Sequence, residues 1–126
     1  MLMLRFQAGD RQFGLPAGYI VEVLPLTTIQ EALHPVSGVV GTVDYEGSTL
    51  PVVDVTLLLC GVAAQQLLST RIVIVTAANR SDTDRRIGLV LERATQTVTS
   101  DEAEALAIAT FDPARLPFAF AGEAQG

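Results

Sequence analysis

Apolar and polar residues alternate at the start of the chain. Leu2, Leu4 and Phe6 fall on one face of an extended segment, and Phe13 continues in phase after a turn at Gly9-Asp10. Alternation with a period of two is typical of a strand that buries one face and exposes the other. The pattern therefore predicts an N-terminal β-hairpin.

Further segments rich in β-branched residues predict a succession of short strands. These segments are 36–43, 50–55, 71–76, 86–91, 94–99 and 106–111. Residues 71–76 are nearly all apolar, which indicates a strand covered on both faces. Residues 19–24 fit either a strand or a short helical turn, whereas 56–60 followed by Gly61 predict a short helix ended by glycine. Short strands at regular spacing, with little amphipathic helix, predict an all-β, barrel-like fold.

Three residues in these segments have structural roles that follow from their chemistry. Pro51 cannot donate to a sheet ladder, which predicts a strand start, an edge or a bulge. Asp54 directly precedes the predicted helix and has the side chain of a helix N-cap. Gly88 interrupts the segment 86–91, which indicates a bulge or the close packing of another backbone.

The acidic composition narrows the classes of partner. Hydrophobic residues make up 49% of the chain and charged residues 17%, and the formal net charge is -6. A chain of this length and hydrophobic content can form one domain with its own core. Nucleic acid and anionic membranes require clustered positive charge, so neither is expected as the main partner. Because the chain has no signal-peptide pattern and no long apolar run, we expect no membrane insertion and a cytoplasmic location.

The residue types needed for catalysis or metal binding are sparse. Cys60 is the only cysteine and His34 the only histidine, which excludes an internal disulfide and disfavours a zinc site. We expect Cys60 to be a small buried hydrophobe and His34 to lie in a loop beside Pro35. The chain lacks the G-x-S-x-G and phosphate-loop motifs. The sequence thus predicts no catalytic residues, no metal and no cofactor, and the protein is not expected to be an enzyme.

Four ordered motifs resemble those of the CheW family. They are V-E-V-L-P at 21–25, H-P-V-S-G-V-V-G at 34–41, D-Y-E-G-S-T-L-P-V-V-D-V at 44–55 and R-I-G-L-V-L-E-R at 86–93. Their order and distances match the family's V-x-E-V/I element, its G-x-x-N-L-R-G turn, its P-V/I-x-D-L strand end and its V-G-x-x-V-D-x-V hairpin arm. The resemblance extends from residue 2 to about residue 98.

The resemblance implies a fold of two intertwined, small SH3-like β-barrels, and we expect one domain over 1–121 with a frayed tail at 122–126. It also implies a non-catalytic adaptor that couples a chemoreceptor to a histidine autokinase. In that family the groove between the barrels receives the cytoplasmic tip of a methyl-accepting chemoreceptor. Exposed barrel ends bind the kinase's CheW-like regulatory domain.

Six positions of this chain correspond to the family's receptor-binding groove. They are Ile20, Glu22, Gly41, Glu46, Gly47 and Val90. An apolar residue beside a charged one, as at Ile20 and Glu22, is suited to a groove that binds a helix. The alternative is structural: Ile20 and its apolar neighbours belong to the core, and Gly41 and Gly47 meet the backbone demands of tight turns.

The chain departs from the family pattern in two places. Glu46 stands where the family has an arginine, and Asp44 replaces its asparagine. This reverses the sign of charge at a contact position, so we expect Glu46 to pair with a basic residue of a divergent partner. After Thr99, a long loop and a strand of the family pattern have no counterpart. The second barrel would then lack a strand and expose an edge.

Such an edge could be covered by Phe118 and Phe120 of the tail, or it could pair with a second copy in a homodimer. Two functional alternatives also remain open. One is a divergent regulatory module that binds a partner but no longer couples a receptor to a kinase. The other is a small β-barrel enzyme or ligand-binding protein, against which the lack of convergent polar residues argues.

Overall fold

The computed structural model describes residues 1–36, 38–76, 86–113 and 116 of the chain. Within these residues, strands dominate and the helices are short. The strands are β1 Leu2–Ala8, β2 Arg11–Pro16, β3 Ile20–Pro25, β4 Gln30–Val36, β5 Val39–Tyr45, β6 Ser48–Asp54, β7 Arg71–Thr76, β8 Arg86–Thr99 and β9 Ala109–Thr110. The helices are α1 Val55–Cys60 and α2 Ser100–Ala105, with 3₁₀ turns at Ala17–Tyr19 and Leu26–Thr28. The all-β prediction is confirmed.

The N-terminal hairpin forms as its alternation predicts, with one difference. β1 and β2 pair antiparallel through Phe6 and Phe13, and the turn contains Gly9 with a positive φ of 64°. Leu4 and Phe6 are buried, but Leu2 is exposed and Met3 is buried on the opposite face. β1 therefore contributes side chains to two clusters, because helix α2 covers the face that the pattern assigned to solvent.

Strands β6, β7 and β8 form a wall between two hydrophobic cores. Successive side chains of a strand point to opposite faces, so Val53 and Val73 enter the first core while Val52 and Ile72 enter the second. The first core also contains the stacked ring pair Phe6 and Phe13, with Phe111 edge-on. The prediction that residues 71–76 are covered on both faces is confirmed by the full burial of their apolar side chains.

Two hydrogen-bonded groups of strands share the long strand β8. The ladder runs in the order β4-β5-β6-β8-β1-β2-β9, with β7 on β8 and β3 on β7. The first half of β8 pairs with β6 and β7, and its second half pairs with β1. This arrangement agrees with two joined β units. The absence of a strand from the second unit stays a prediction.

Several local expectations require correction. His34 lies within strand β4 rather than in a loop. Cys60 is exposed at the end of α1 rather than buried. The strand expected at 106–111 is reduced to Ala109–Thr110, because Ala107 takes a positive φ of 56° that breaks the extended backbone.

Gly88 causes no bulge and is neither a turn nor a cap. Its pairing with Ile74 of β7 continues in regular register. A Cβ at this position would lie 3.0 Å from Cγ2 of Ile72 and 3.2 Å from Cγ2 of Val52. Neighbouring side chains, not another backbone, therefore occupy the space above this glycine.

The C-terminal part of the predicted domain organisation lies outside the described residues. This applies to the boundary at residue 121, to the tail 122–126 and to the edge-covering role of Phe118 and Phe120. Residues 19–24, for which two structures were possible, form a 3₁₀ end at Tyr19 and then strand β3.

Candidate functional site

The hairpin between β5 and β6 presents an exposed turn made of Glu46 and Gly47. Both residues have positive φ, 49° and 82° respectively, and they connect the paired residues Tyr45 and Ser48. Positive φ at both central positions is the requirement of the two-residue hairpin turn that matches the twist of the strands. A Cβ on Gly47 would meet no atom within 4 Å, so this glycine serves the backbone and leaves the turn open to solvent.

Four polar side chains gather beside this turn, and we call Glu22, Tyr45, Glu46 and Arg86 the polar cluster. The Tyr45 hydroxyl donates a hydrogen bond of 2.6 Å to Oε1 of Glu22. A terminal nitrogen of Arg86 lies 3.4 Å from Oε1 of Glu46, forming an ion pair across strands. The hydrogen bond to Glu22 is the main reason that the pKa of Tyr45 is raised to about 12, and the negative charges of Glu22 and Glu46 add to it.

Strand β3 bulges where its predicted site residues lie. Ile20 pairs with Val75 and Glu22 with Ile74, so β3 advances by two residues where β7 advances by one. The bulge directs half-buried Ile20 toward the first core and its neighbour Val21 toward the second. Ile20 thus contributes to the first core, as the structural alternative expected, and Glu22 stays exposed.

A cavity of about 600 Å³ opens over the second core. Val90 of β8 belongs to its lining and is only 4% exposed. The walls come from the 3₁₀ turn at Leu26–Thr28, from β4 and β5, and from the loop after α1. Leu68 of that loop lines the cavity while being 98% exposed. The result is a concave surface with an apolar floor and an exposed leucine at its mouth.

Asp54 organises one wall of this cavity. Its Oδ1 accepts a hydrogen bond from the backbone nitrogen of Leu57 at 3.0 Å, as the N-cap of α1. Its Oδ2 accepts from the backbone nitrogen of Ala64 at 2.8 Å, which ties the following loop to the helix. Both carboxylate oxygens of this buried residue are engaged, so Asp54 shapes the wall rather than offering a free acid.

Gly41 does not line the cavity or the polar cluster. It is buried at a bulge of β5, and a Cβ there would lie 2.4 Å from the backbone oxygen of Gln30. Only glycine allows β4 to approach β5 this closely.

Pro51 lies opposite Thr42 of β5, one residue before β6 begins to pair with β8 at Val52. It therefore occupies a local edge, where its missing donor costs no ladder hydrogen bond.

Four of the six predicted groove residues lie at the polar cluster or in the cavity, whereas Ile20 packs against the first core and Gly41 lies in the contact between β4 and β5. Glu22, Glu46 and Gly47 belong to or adjoin the polar cluster, while Val90 lies in the cavity. Sequence reasoning missed Tyr45 and Arg86, which connect the cluster. Arg86 is 40 residues from Glu46, and no local signal predicts that they meet. The loop residues of the cavity wall were also missed, because the segment 62–69 has no regular pattern.

The described part of the chain holds neither a metal-ligand cluster nor a membrane-spanning helix. Among these residues, no three histidine, cysteine or carboxylate side chains are grouped so that they could hold a metal ion. The helices found there are too short and insufficiently apolar to cross a bilayer.

Comparison with known proteins gives a consistent picture. A family model described as the CheW-like domain matches residues 2–117. Among solved structures, the chain is similar to the scaffolding protein TtCheW from Thermoanaerobacter tengcongensis, with a TM-score of 0.66 and 19% sequence identity. That match covers 80% of this chain and 62% of the other. At this identity the likeness shows the fold. No curated protein matches the chain.

Proposed function

This chain belongs to the CheW-like domain family, and from that premise we propose that it is a non-catalytic scaffold of a chemotaxis-like two-component pathway. In this role it couples the cytoplasmic tip of a methyl-accepting chemoreceptor to the CheW-like regulatory domain of a histidine autokinase. Both partners act at the cytoplasmic side of the membrane, so a cytoplasmic location accompanies the proposal.

The observation that carries this proposal is the cavity of about 600 Å³ over the second core. An amphipathic helix binds a groove through apolar side chains that enter it and polar side chains that contact its edge. Leu26, Ile29 and Val90 supply apolar surface inside the cavity, and Glu31 lies at its lining as a charged residue. The tip of a chemoreceptor is helical, so it has the shape that this concave surface can receive.

The turn at Glu46 and Gly47, which corresponds to part of the family's receptor-binding groove, is exposed and supports a partner contact through the polar cluster. The pair between Glu46 and Arg86 favours a second candidate function. A carboxylate already paired within the chain is less available to a partner's cation. A divergent regulatory module that binds one partner without coupling two would fit this feature.

Binding experiments with a charged substitution at the cavity mouth test the proposal. Leu68→Glu introduces a carboxylate at a fully exposed position of the lining, and we expect at least a tenfold loss of affinity for the chemoreceptor fragment of the same organism. Leu106→Glu is the matched control, because Leu106 is also exposed, at 58%, and does not line the cavity. Equal affinity of both variants would contradict the cavity as the receptor site. Binding of the receptor without the kinase domain would favour the second candidate.

A further inference from the structure

A second, smaller cavity lies between β1, β2, the second half of β8 and Ser69 of the loop after α1. It has a volume of about 330 Å³. Apart from Phe6, its lining side chains are arginine, glutamine, serine or threonine, and no described carboxylate lines it. Arg5 of β1 and Arg93 of β8 are its two charged residues. In a chain of net charge -6, this is a local concentration of positive charge.

An irregularity of the backbone places Arg93 at this cavity. β1 advances two residues from Arg5 to Gln7, while β8 advances four from Gln96 to Glu92, so β8 carries two extra residues there. Arg93 takes a positive φ of 54° within this bulge. A side chain other than glycine in this conformation costs of order 1–3 kcal/mol, and such strain is concentrated at functional sites.

The bulge is held in place by a contact from outside the strand. The backbone nitrogen of Ala94 donates a hydrogen bond of 3.0 Å to the oxygen of Ser69, which also lines the cavity. The carboxylate next in sequence, Glu92, is buried and accepts a hydrogen bond from Thr56. The Glu92 carboxylate is thus engaged inside the fold and does not pair with Arg93.

Most arginines of the described residues have a partner within the chain, which sets Arg93 apart. Arg11 lies over the ring of Phe13, Arg71 donates to backbone oxygens of its own loop, and Arg86 pairs with Glu46. Arg5 uses its Nε to bond Gln12 at 2.5 Å. Arg93 is exposed and forms no hydrogen bond or ion pair with any described residue.

We propose that Arg5 and Arg93 form a binding site for an aspartate or glutamate side chain of a partner polypeptide. The guanidinium group presents several donors in a plane, which matches a carboxylate. The glutamine side chains of the lining both donate and accept hydrogen bonds, as peptide groups require. The lining of this site shares no residue with the cavity over Val90, although Ser69 lies between Leu68 and Thr70 of that cavity.

A titration with short blocked peptides tests the proposal on the intact chain. Acetyl-Gly-Glu-Glu-Gly-amide should shift the backbone amide signals of Arg93 and Thr95 in a saturable manner, and the glutamine analogue should not. Arg5→Gln and Arg93→Gln should each weaken binding about tenfold, since each removes a charge-assisted hydrogen-bonding group. Arg11→Gln, on β2 but outside the lining, should bind like the unmodified chain.

A second variant separates binding from folding. Arg93→Gly suits the positive φ at this position, so its melting temperature should equal or exceed that of the unmodified chain while the peptide-induced shifts disappear. Retained binding in folded Arg93→Gly would overturn the proposal, as would equal binding of the glutamine peptide. Inorganic phosphate tests the ligand class: if it binds as tightly as the acidic peptide, the site is for a free anion, and the polypeptide ligand is wrong.

Discussion

The Tyr45 hydroxyl donates a hydrogen bond of 2.6 Å to Oε1 of Glu22, 23 residues earlier in the chain. The bond joins the end of β5 to the bulged strand β3. It lies beside the exposed turn at Glu46, so the geometry of the polar cluster depends on it. Its electrostatic consequence can be measured directly.

Tyr45 should titrate with a pKa of about 12 instead of its ordinary value of 10.0, mainly because of the hydrogen bond to Glu22. Since the folded-state pKa is raised, the bond's contribution to stability is complete below pH 10 and is lost as the pH rises through about 12. Absorbance titration of Tyr19→Phe, in which Tyr45 is the remaining tyrosine, measures this value. Adding Glu22→Gln should lower it toward 10; identical titrations would contradict the assignment.

Gly41→Ala should destabilise the protein strongly. The new Cβ would lie 2.4 Å from the backbone oxygen of Gln30, and forcing β4 and β5 apart costs about 2–3 kcal/mol. Gly47→Ala is the control, because its Cβ meets no neighbour and only the positive φ is strained, at about 1 kcal/mol. Urea denaturation gives both values. A larger loss for Gly47→Ala would show that strand packing is not the constraint.

Asp54→Ala should reduce the free energy of unfolding by about 2 kcal/mol, because the backbone nitrogens of Leu57 and Ala64 both lose their acceptor. Asp54→Asn should lose about half of this, since asparagine keeps one acceptor oxygen for the helix cap. Asp44→Ala, which removes only a hydrogen bond with exposed Thr49, should have a small effect. Chemical denaturation checks the order, and equal losses for Asp54 and Asp44 would contradict it.

Exchanging the charge at Glu46 should change partner choice more than stability. The pair with Arg86 is largely exposed, so Glu46→Gln should alter the free energy of unfolding by less than about 0.5 kcal/mol. Glu46→Arg should shift binding from the cognate kinase domain toward generic CheW-binding domains in a pull-down. The double variant Glu46→Arg with Arg86→Glu restores the internal pair and is the control. Unchanged partner choice in Glu46→Arg would reject a role of this charge in recognition.

The chain should form dimers through an exposed strand edge. Among the described strands, β3, β4 and β9 each pair with a single neighbour, so each leaves one edge unpaired. An unpaired edge is a template for a second copy. Light scattering at high micromolar concentration measures the mass, and a monomer under that condition would contradict the prediction.

Local patterns predicted the elements that depend on neighbouring residues. Period-two alternation indicated the hairpin of β1 and β2, and β-branched residues indicated that β7 is buried on both faces. Gly61 ends α1 with a φ of 79° and Asp54 caps it, because caps and turns are decided within a few residues. The motifs also indicated the CheW-like family, which the match over residues 2–117 confirms.

The sequence did not reveal features that depend on register between distant strands. From the sequence alone, Gly41 was expected to meet the demands of a tight turn, but in the structure the close approach of β4 requires the glycine. Cys60 was expected to be buried, but it is exposed at the end of α1. The bulge that exposes Arg93 arises from pairing with β1 and from the oxygen of Ser69, neither of which has a local signature.

The sequence by itself therefore determined the N-terminal hairpin, several of the later strands, the helix cap and the family of this protein. The tertiary structure alone decided that Tyr45 bonds Glu22 and that Glu46 pairs with Arg86. It also placed Arg5 and Arg93 in the lining of one cavity. The physical reason is that backbone propensities and alternation act between neighbours in the chain, whereas a binding surface depends on the registers and bulges of strands paired across it.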